Sequence, residues 1–100
     1  MKWSRLFSKR LHFKYVYIDD VPEIYLPKTF NIVGTSNFWL ITFICPCGCN
    51  EIVNLNLLKD SYPQWYYTIK KKKINIYPSV KRKQGCKSHF IIRKNKIEYI

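Results

Sequence analysis

The clearest alternation of apolar and polar positions runs through residues 51–58. Val53, Leu55 and Leu57 fall on one face and Asn54 and Asn56 on the other, the pattern of a half-buried strand. Upstream, residues 38–44 (FWLITFI) are apolar almost throughout and of strand length, which predicts a strand buried on both faces. Residues 45–50 (CPCGCN) break the pattern between them, so the two strands are expected to pair as an antiparallel hairpin about a cysteine-bearing turn. Residues 12–18 alternate and read as a first strand. Asp19-Asp20-Val21-Pro22 reads as a turn, and a short extension at 23–26 stops at Pro27. Gly34, Thr35 and Ser36 mark residues 31–37 as a loop. Residues 59–63 read as a linker, followed by strands at 65–70 and 74–77 on either side of a lysine cluster, then a basic loop at 78–85. The alternating segments 90–93 and 96–99 join through Lys94-Asn95 as a closing hairpin.

Composition agrees with this reading. The chain contains no alanine and is rich in Ile, Val, Tyr, Phe, Trp and Thr, so helix propensity is poor and strand propensity good. One hundred residues suit one domain with a thin core, for which aromatic residues (17%) supply buried area and some staple is expected. The expected fold is mostly β, a small antiparallel sheet of hairpins clamped by one zinc site in the manner of a zinc ribbon. Residues 1–10 form a basic N-terminal arm and 11–100 a single zinc-binding β domain. No apolar segment follows the basic start as in a signal peptide, and the longest apolar run is too short to span a bilayer. A cytoplasmic protein is expected, with no membrane partner and no small-molecule substrate. In that compartment four cysteines favour metal ligation over disulfides.

The chemistry lies in two segments, Cys45-Pro46-Cys47-Gly48-Cys49 and Cys86-Lys87-Ser88-His89. Zinc takes four thiolate or imidazole ligands in a tetrahedron, commonly from two turns. Cys45, Cys47, Cys49, Cys86 and His89 offer five ligands for four places. Either all four cysteines bind with His89 beside them, or two of the first three join Cys86 and His89. The Cys-x-x-His spacing inclines the reading toward a site that includes His89. An iron–sulfur cluster, a redox dithiol in the CPC turn and a Cys86/His89 nucleophile pair are weaker alternatives. The six carboxylates form no paired motif and no phosphate-binding glycine loop is present, so the chain reads as a non-enzyme.

Formal charge is +12, from 14 lysines and 4 arginines against 6 acidic residues. Between residues 61 and 97 there is no acidic residue and eleven are basic. Lys70, Lys71, Lys72, Lys73, Lys81, Arg82 and Lys83 are candidates for binding a protein partner or nucleic acid. Coding bias toward lysine accounts for part of this charge, and arginine, which suits bidentate phosphate contacts, is scarce. The interleaved rings Trp65, Tyr66, Tyr67, Tyr77 and Phe90 follow strand alternation and are expected in the core.

Together the CPCGC turn, Asn56-Leu57-Leu58, Pro63-Gln64-Trp65, Pro78-Ser79-Val80, Gly85-Cys86-Lys87-Ser88-His89-Phe90 and the closing hairpin resemble a family of small bacterial proteins. The resemblance covers residues 19–99. That family is a domain of unknown function taken to bind zinc, often encoded beside a ubiquitin-like protein and its activating, conjugating and deconjugating enzymes. The resemblance implies a zinc-stabilised accessory or adaptor protein that binds proteins of a ubiquitin-like conjugation pathway, with antiviral defence among its candidate settings. The alternative is a nucleic-acid-binding zinc protein that uses the basic C-terminal half.

Overall fold

The computed structural model describes residues 12–83 and 85–100, so the expected arm at 1–10 lies outside it. The described residues form eight strands: β1 (Lys14–Ile18), β2 (Thr29–Gly34), β3 (Phe38–Ile44), β4 (Ile52–Asn56), β5 (Tyr66–Lys70), β6 (Lys73–Lys81), β7 (His89–Arg93) and β8 (Lys96–Tyr99). They make two four-stranded sheets, ordered β1-β2-β3-β4 and β5-β6-β7-β8. The mostly β expectation holds. Among the described residues no helix is long and apolar enough to cross a membrane.

The β3–β4 hairpin is paired as its hydrophobic pattern predicts, with Phe43 opposite Val53 and Ile41 opposite Leu55. Those four side chains lie on the inner face of the first sheet and are buried. Ile74, Ile76, Val80, Phe90, Ile92 and Ile97 line the inner face of the second sheet, and the two sets form one hydrophobic cluster. Rings connect them. Phe43 packs edge-on against Phe30 at 4.9 Å and meets Phe90 of the other sheet at 6.5 Å. Backbone bonds also tie the sheets at their margins, from Phe13 N–H to Asn95 C=O (2.7 Å) and from Trp65 N–H to Asn56 C=O (2.7 Å).

Several local expectations are corrected. Residues read as a loop from 31 onward belong to β2, buried along its whole length, and only Thr35, Ser36 and Asn37 form the turn. The first strand begins at Lys14, and His12 makes an isolated bridge to Lys96. β1 runs parallel to β2, which no hairpin allows, so the chain must cross over between them. Tyr25 of that crossover reaches Thr42 Oγ1 (2.9 Å), which in turn donates to Asn54 Oδ1 (2.7 Å). Asn31 Nδ2 donates to the Thr42 carbonyl (3.0 Å). Tyr25 thus reaches the outer side of the sheet, and the bonds among Asn31, Thr42 and Asn54 satisfy polar groups that would be costly to bury alone. Finally, β6 continues through Pro78, Ser79 and Val80, read from sequence as loop.

Truncation of the ring that links the sheets tests this core. Phe43→Ala should lower stability by about 3–5 kcal/mol, measured as a fall in the urea midpoint with little change in the slope.

Candidate metal centre and an adjacent serine–histidine pair

The first cysteine segment lies where β3 runs out. Cys45 is two residues beyond Phe43, so it keeps the inward direction of that strand face and is buried. Its N–H donates to Glu51 C=O (2.8 Å), which closes the loop at its base, and Gly48 turns the chain at φ 94°. Cys47 and Cys49 stand exposed on this loop. The β6–β7 connection of the other sheet forms a second loop, closed by Arg82 N–H to Ser88 C=O (2.8 Å), and presents the half-buried Cys86 to the first.

The four sulfur atoms of Cys45, Cys47, Cys49 and Cys86 lie within 4.8 Å of one another. Cys45 Sγ is 3.5 Å from Cys47 Sγ and 3.6 Å from Cys86 Sγ. A tetrahedral ion with bonds of about 2.3 Å to sulfur sets its ligands about 3.8 Å apart. The group can hold a metal ion. Burial pushes the Cys45 thiol up, and burial with contact to Cys86 pushes Cys47 up to about 12. Cys86 goes the other way, down to about 6, because Ser88 Oγ (3.1 Å) and the Ser88 N–H donate to its thiolate. A cation among the sulfurs would remove the cost of ionising all four.

Arg82 supports this fit. Although expected on a binding face, it turns inward, and Nη2 donates to Glu51 Oε1 (3.4 Å). Nη1 is buried and has no hydrogen-bond partner among the described residues. Burial opposes its charge, but the negative sulfurs of Cys45 and Cys86 more than offset this. Four thiolates around a divalent ion carry two net negative charges, which a guanidinium with a spare donor would offset in part. Gly85 belongs to the same arrangement. A Cβ there would overlap the Glu51 carboxylate, so glycine leaves room for the Glu51–Arg82 pair.

His89 does not join the sulfurs. It opens β7, half-buried, and its Nε2 sits 3.0 Å from Ser79 Oγ. Ser79 owes its position to an irregularity in β6. Ile76 faces Ile92 and Val80 faces Phe90, so Tyr77, Pro78 and Ser79 bulge opposite Ile91. Trp65 Nε1 donates to the Ser79 carbonyl (3.4 Å) and braces the bulge. The P-x-W, PSV and SHF motifs, far apart in sequence, thus converge on one serine–histidine pair.

The family model described as "Bacterial ubiquitination-like system serine protease (BubE)" matches residues 17–100. The chain belongs to the BubE family. No curated protein and no solved structure matches the chain. BubE proteins belong to a bacterial ubiquitination-like system, in line with the pathway implied by the motifs. The family description names a serine protease and so gives no support to the non-enzyme expectation.

Sequence reasoning missed Ser79, because no spacing rule joins it to a histidine ten positions away on the next strand. The PSV motif was its only sequence signal. The basic candidates divide between two places. Lys70 and Lys73 end β5 and begin β6, Lys71 and Lys72 form the turn between them, Lys81 lies opposite His89, and Lys83 is exposed in the loop leading to Cys86. The rings divide as well. Phe90 is buried and Trp65 and Tyr67 pack against the core, whereas Tyr66 and Tyr77 are exposed and stacked at 5.2 Å.

In metal-free, reduced protein at pH 7, iodoacetamide should alkylate Cys86 first and Cys47 much later, despite the exposure of Cys47. Peptide mass spectrometry after short exposures reads the order. Ser88→Ala should slow Cys86, since the stabilising hydroxyl is lost.

Proposed function

We propose that this chain is a zinc-stapled serine hydrolase of a bacterial ubiquitin-like modification pathway, cleaving the acyl bond that joins a ubiquitin-like protein to its target. The observation that carries the reading is the 3.0 Å contact between Ser79 Oγ and His89 Nε2. A hydroxyl is a weak nucleophile until a base accepts its proton, and this distance is within reach for that transfer. Ser79 Oγ attacks the carbonyl carbon of the substrate as its proton passes to His89 Nε2. The imidazolium then gives the proton to the departing amine or alkoxide as the acyl–oxygen bond to Ser79 remains. Water, deprotonated by His89, breaks that bond, releasing the carboxylate and restoring the serine. Trp65 fixes the bulge that presents Ser79.

Cys45, Cys47, Cys49 and Cys86 would hold zinc, whose contribution is structural. It joins one loop from each sheet and so steadies the segment that enters β7 at His89. Four thiolates suit zinc, and a cytoplasmic setting keeps them reduced. With His89 committed to Ser79, the four-cysteine ligand set is favoured over a set containing His89.

The accessory-factor reading, binding without chemistry, has one observation in its favour. A groove of about 410 Å³ between the sheets is lined by Phe38, Leu57, Gln64, Trp65 and Tyr67 among others, and is large enough for an extended peptide segment. It differs in outcome, since a pure adaptor needs no reactive serine.

A fluorophosphonate probe should label the wild-type chain at Ser79, and Ser79→Ala or His89→Ala should abolish labelling while leaving the fold unchanged. An unlabelled wild-type protein, or labelling that survives Ser79→Ala, would overturn the hydrolase in favour of the adaptor.

The metal has its own test. Purified protein should carry about one zinc per chain by elemental analysis. Cys86→Ser should lose both zinc and cooperative folding, because binding free energy and folding free energy are shared in so small a protein. His89→Ala should retain the zinc.

A further inference from the structure

The outer face of the second sheet carries more charge than its fold can use. In β6 the buried Ile74 and Ile76 alternate with Lys73, Asn75 and Tyr77, which point away from the core. At one end of this face, Lys70, Lys71, Lys73 and Lys94 surround Asn75 in a cleft of about 340 Å³ with no acidic residue in its lining. Lys70 and Lys73 are direct cross-strand partners, an arrangement in which like charges destabilise a sheet. Lys71, Lys72 and Lys94 occupy left-handed turn positions, with φ of 52°, 62° and 51°, where glycine or asparagine is the favourable choice. The ion pairs formed among the described residues, Arg82–Glu51 and Arg93–Glu98, engage none of these lysines. Neither turn geometry nor ion pairing accounts for them.

The floor of the cleft is rigid. Asn75 Oδ1 accepts from the Lys94 N–H (3.0 Å), and Asn75 Nδ2 donates to Thr68 Oγ1 (3.4 Å). One side chain thus ties the β5–β6 hairpin to the β7–β8 turn and brings the backbone positions of their lysines together. Four lysines rooted this close together repel one another, so an anionic partner gains the attraction of all four and relieves that repulsion.

We propose that this cleft is a docking site for an acidic protein surface. The exposed Tyr66–Tyr77 pair flanks it on the same face as an apolar anchor. Farther along β6 lies Ser79, roughly 15–20 Å from Lys73 at the usual rise per strand residue, with its partner His89 on the neighbouring β7. Taking a protein as the partner, and not a nucleic acid, rests on the hydrolase reading above, in which a protein conjugate must lie across this face. It rests also on the lining, whose charged residues are all lysine, with no arginine to grip phosphate in two-pronged fashion.

The test uses fluorescence anisotropy with two probes, labelled poly-L-glutamate and a labelled twenty-base oligothymidylate, in 150 mM salt. Lys70→Glu/Lys73→Glu/Lys94→Asn should weaken polyglutamate binding at least tenfold. Lys59→Glu/Lys83→Glu/Lys87→Asn, which makes the same change in net charge elsewhere, should weaken it less than threefold. Asparagine suits the left-handed φ of both Lys94 and Lys87. Equal loss in the two variants would reduce the effect to net charge and overturn the site, as would absence of polyglutamate binding by the wild type. Tighter binding of the oligothymidylate, lost in the first variant alone, would reassign the cleft to nucleic acid. Fluorophosphonate labelling of the first variant reports the Ser79–His89 pair separately, so either reading can fail without the other.

Discussion

Two thin sheets meet through a single apolar layer, and at one end of that layer Phe43 reaches Phe90 while Cys45 reaches Cys86. These contacts come from the same pair of strands. Phe43 and Cys45 lie on one face of β3 and its continuation, while Phe90 and Cys86 lie at and just before β7. A core of this size buries too little apolar surface to leave a wide margin over chain entropy. A thiol group at its rim, drawing one loop from each sheet, is the natural place to add the missing cohesion. The rest of the architecture, including the inward Arg82 and the glycine that admits Glu51, is arranged around that junction.

The same junction sets up the candidate chemistry. The loop that presents Cys86 closes between Arg82 and Ser88, and the next residue is His89. Fixing the sulfurs therefore fixes where β7 starts and where its first imidazole lies. On the neighbouring strand, the bulge before Val80 brings Ser79 to that imidazole. The cysteine group and the serine–histidine pair are thus separate in chemistry and continuous in structure, joined by the short segment from Cys86 to His89. The description of the BubE family, to which the chain belongs, names a serine protease.

Legibility followed the range of the interactions involved. The β3–β4 hairpin and the closing β7–β8 hairpin were readable because their pairing is local and their alternation marks which face is buried. The cysteine turns were readable because metal-ligand spacing is itself a short-range signal. β2 was not, since Gly34, Thr35 and Ser36 look like loop whether or not a strand precedes them. It is a strand because β1 and β3 pair with it on either side and its Phe30 and Ile32 pack in the core shared with the other sheet, none of them neighbours that local pattern can specify. The exposed Tyr66 and Tyr77 were assigned inward because alternation gives a face without saying which face meets the other sheet.

The sequence by itself determined an all-β chain, its principal hairpins, the cysteine group and a strongly basic C-terminal half, because each of these depends on residue type and near spacing. Tertiary structure decided the rest. It separated His89 from the sulfurs and joined it to Ser79, turned Arg82 from a surface charge into a neighbour of the thiols, and gathered Lys70, Lys73 and Lys94 into one cleft. Each of those outcomes depends on strand register, on one bulge and on the packing of one sheet against another. They are set by contacts between residues far apart in the chain, whose identity no local pattern encodes.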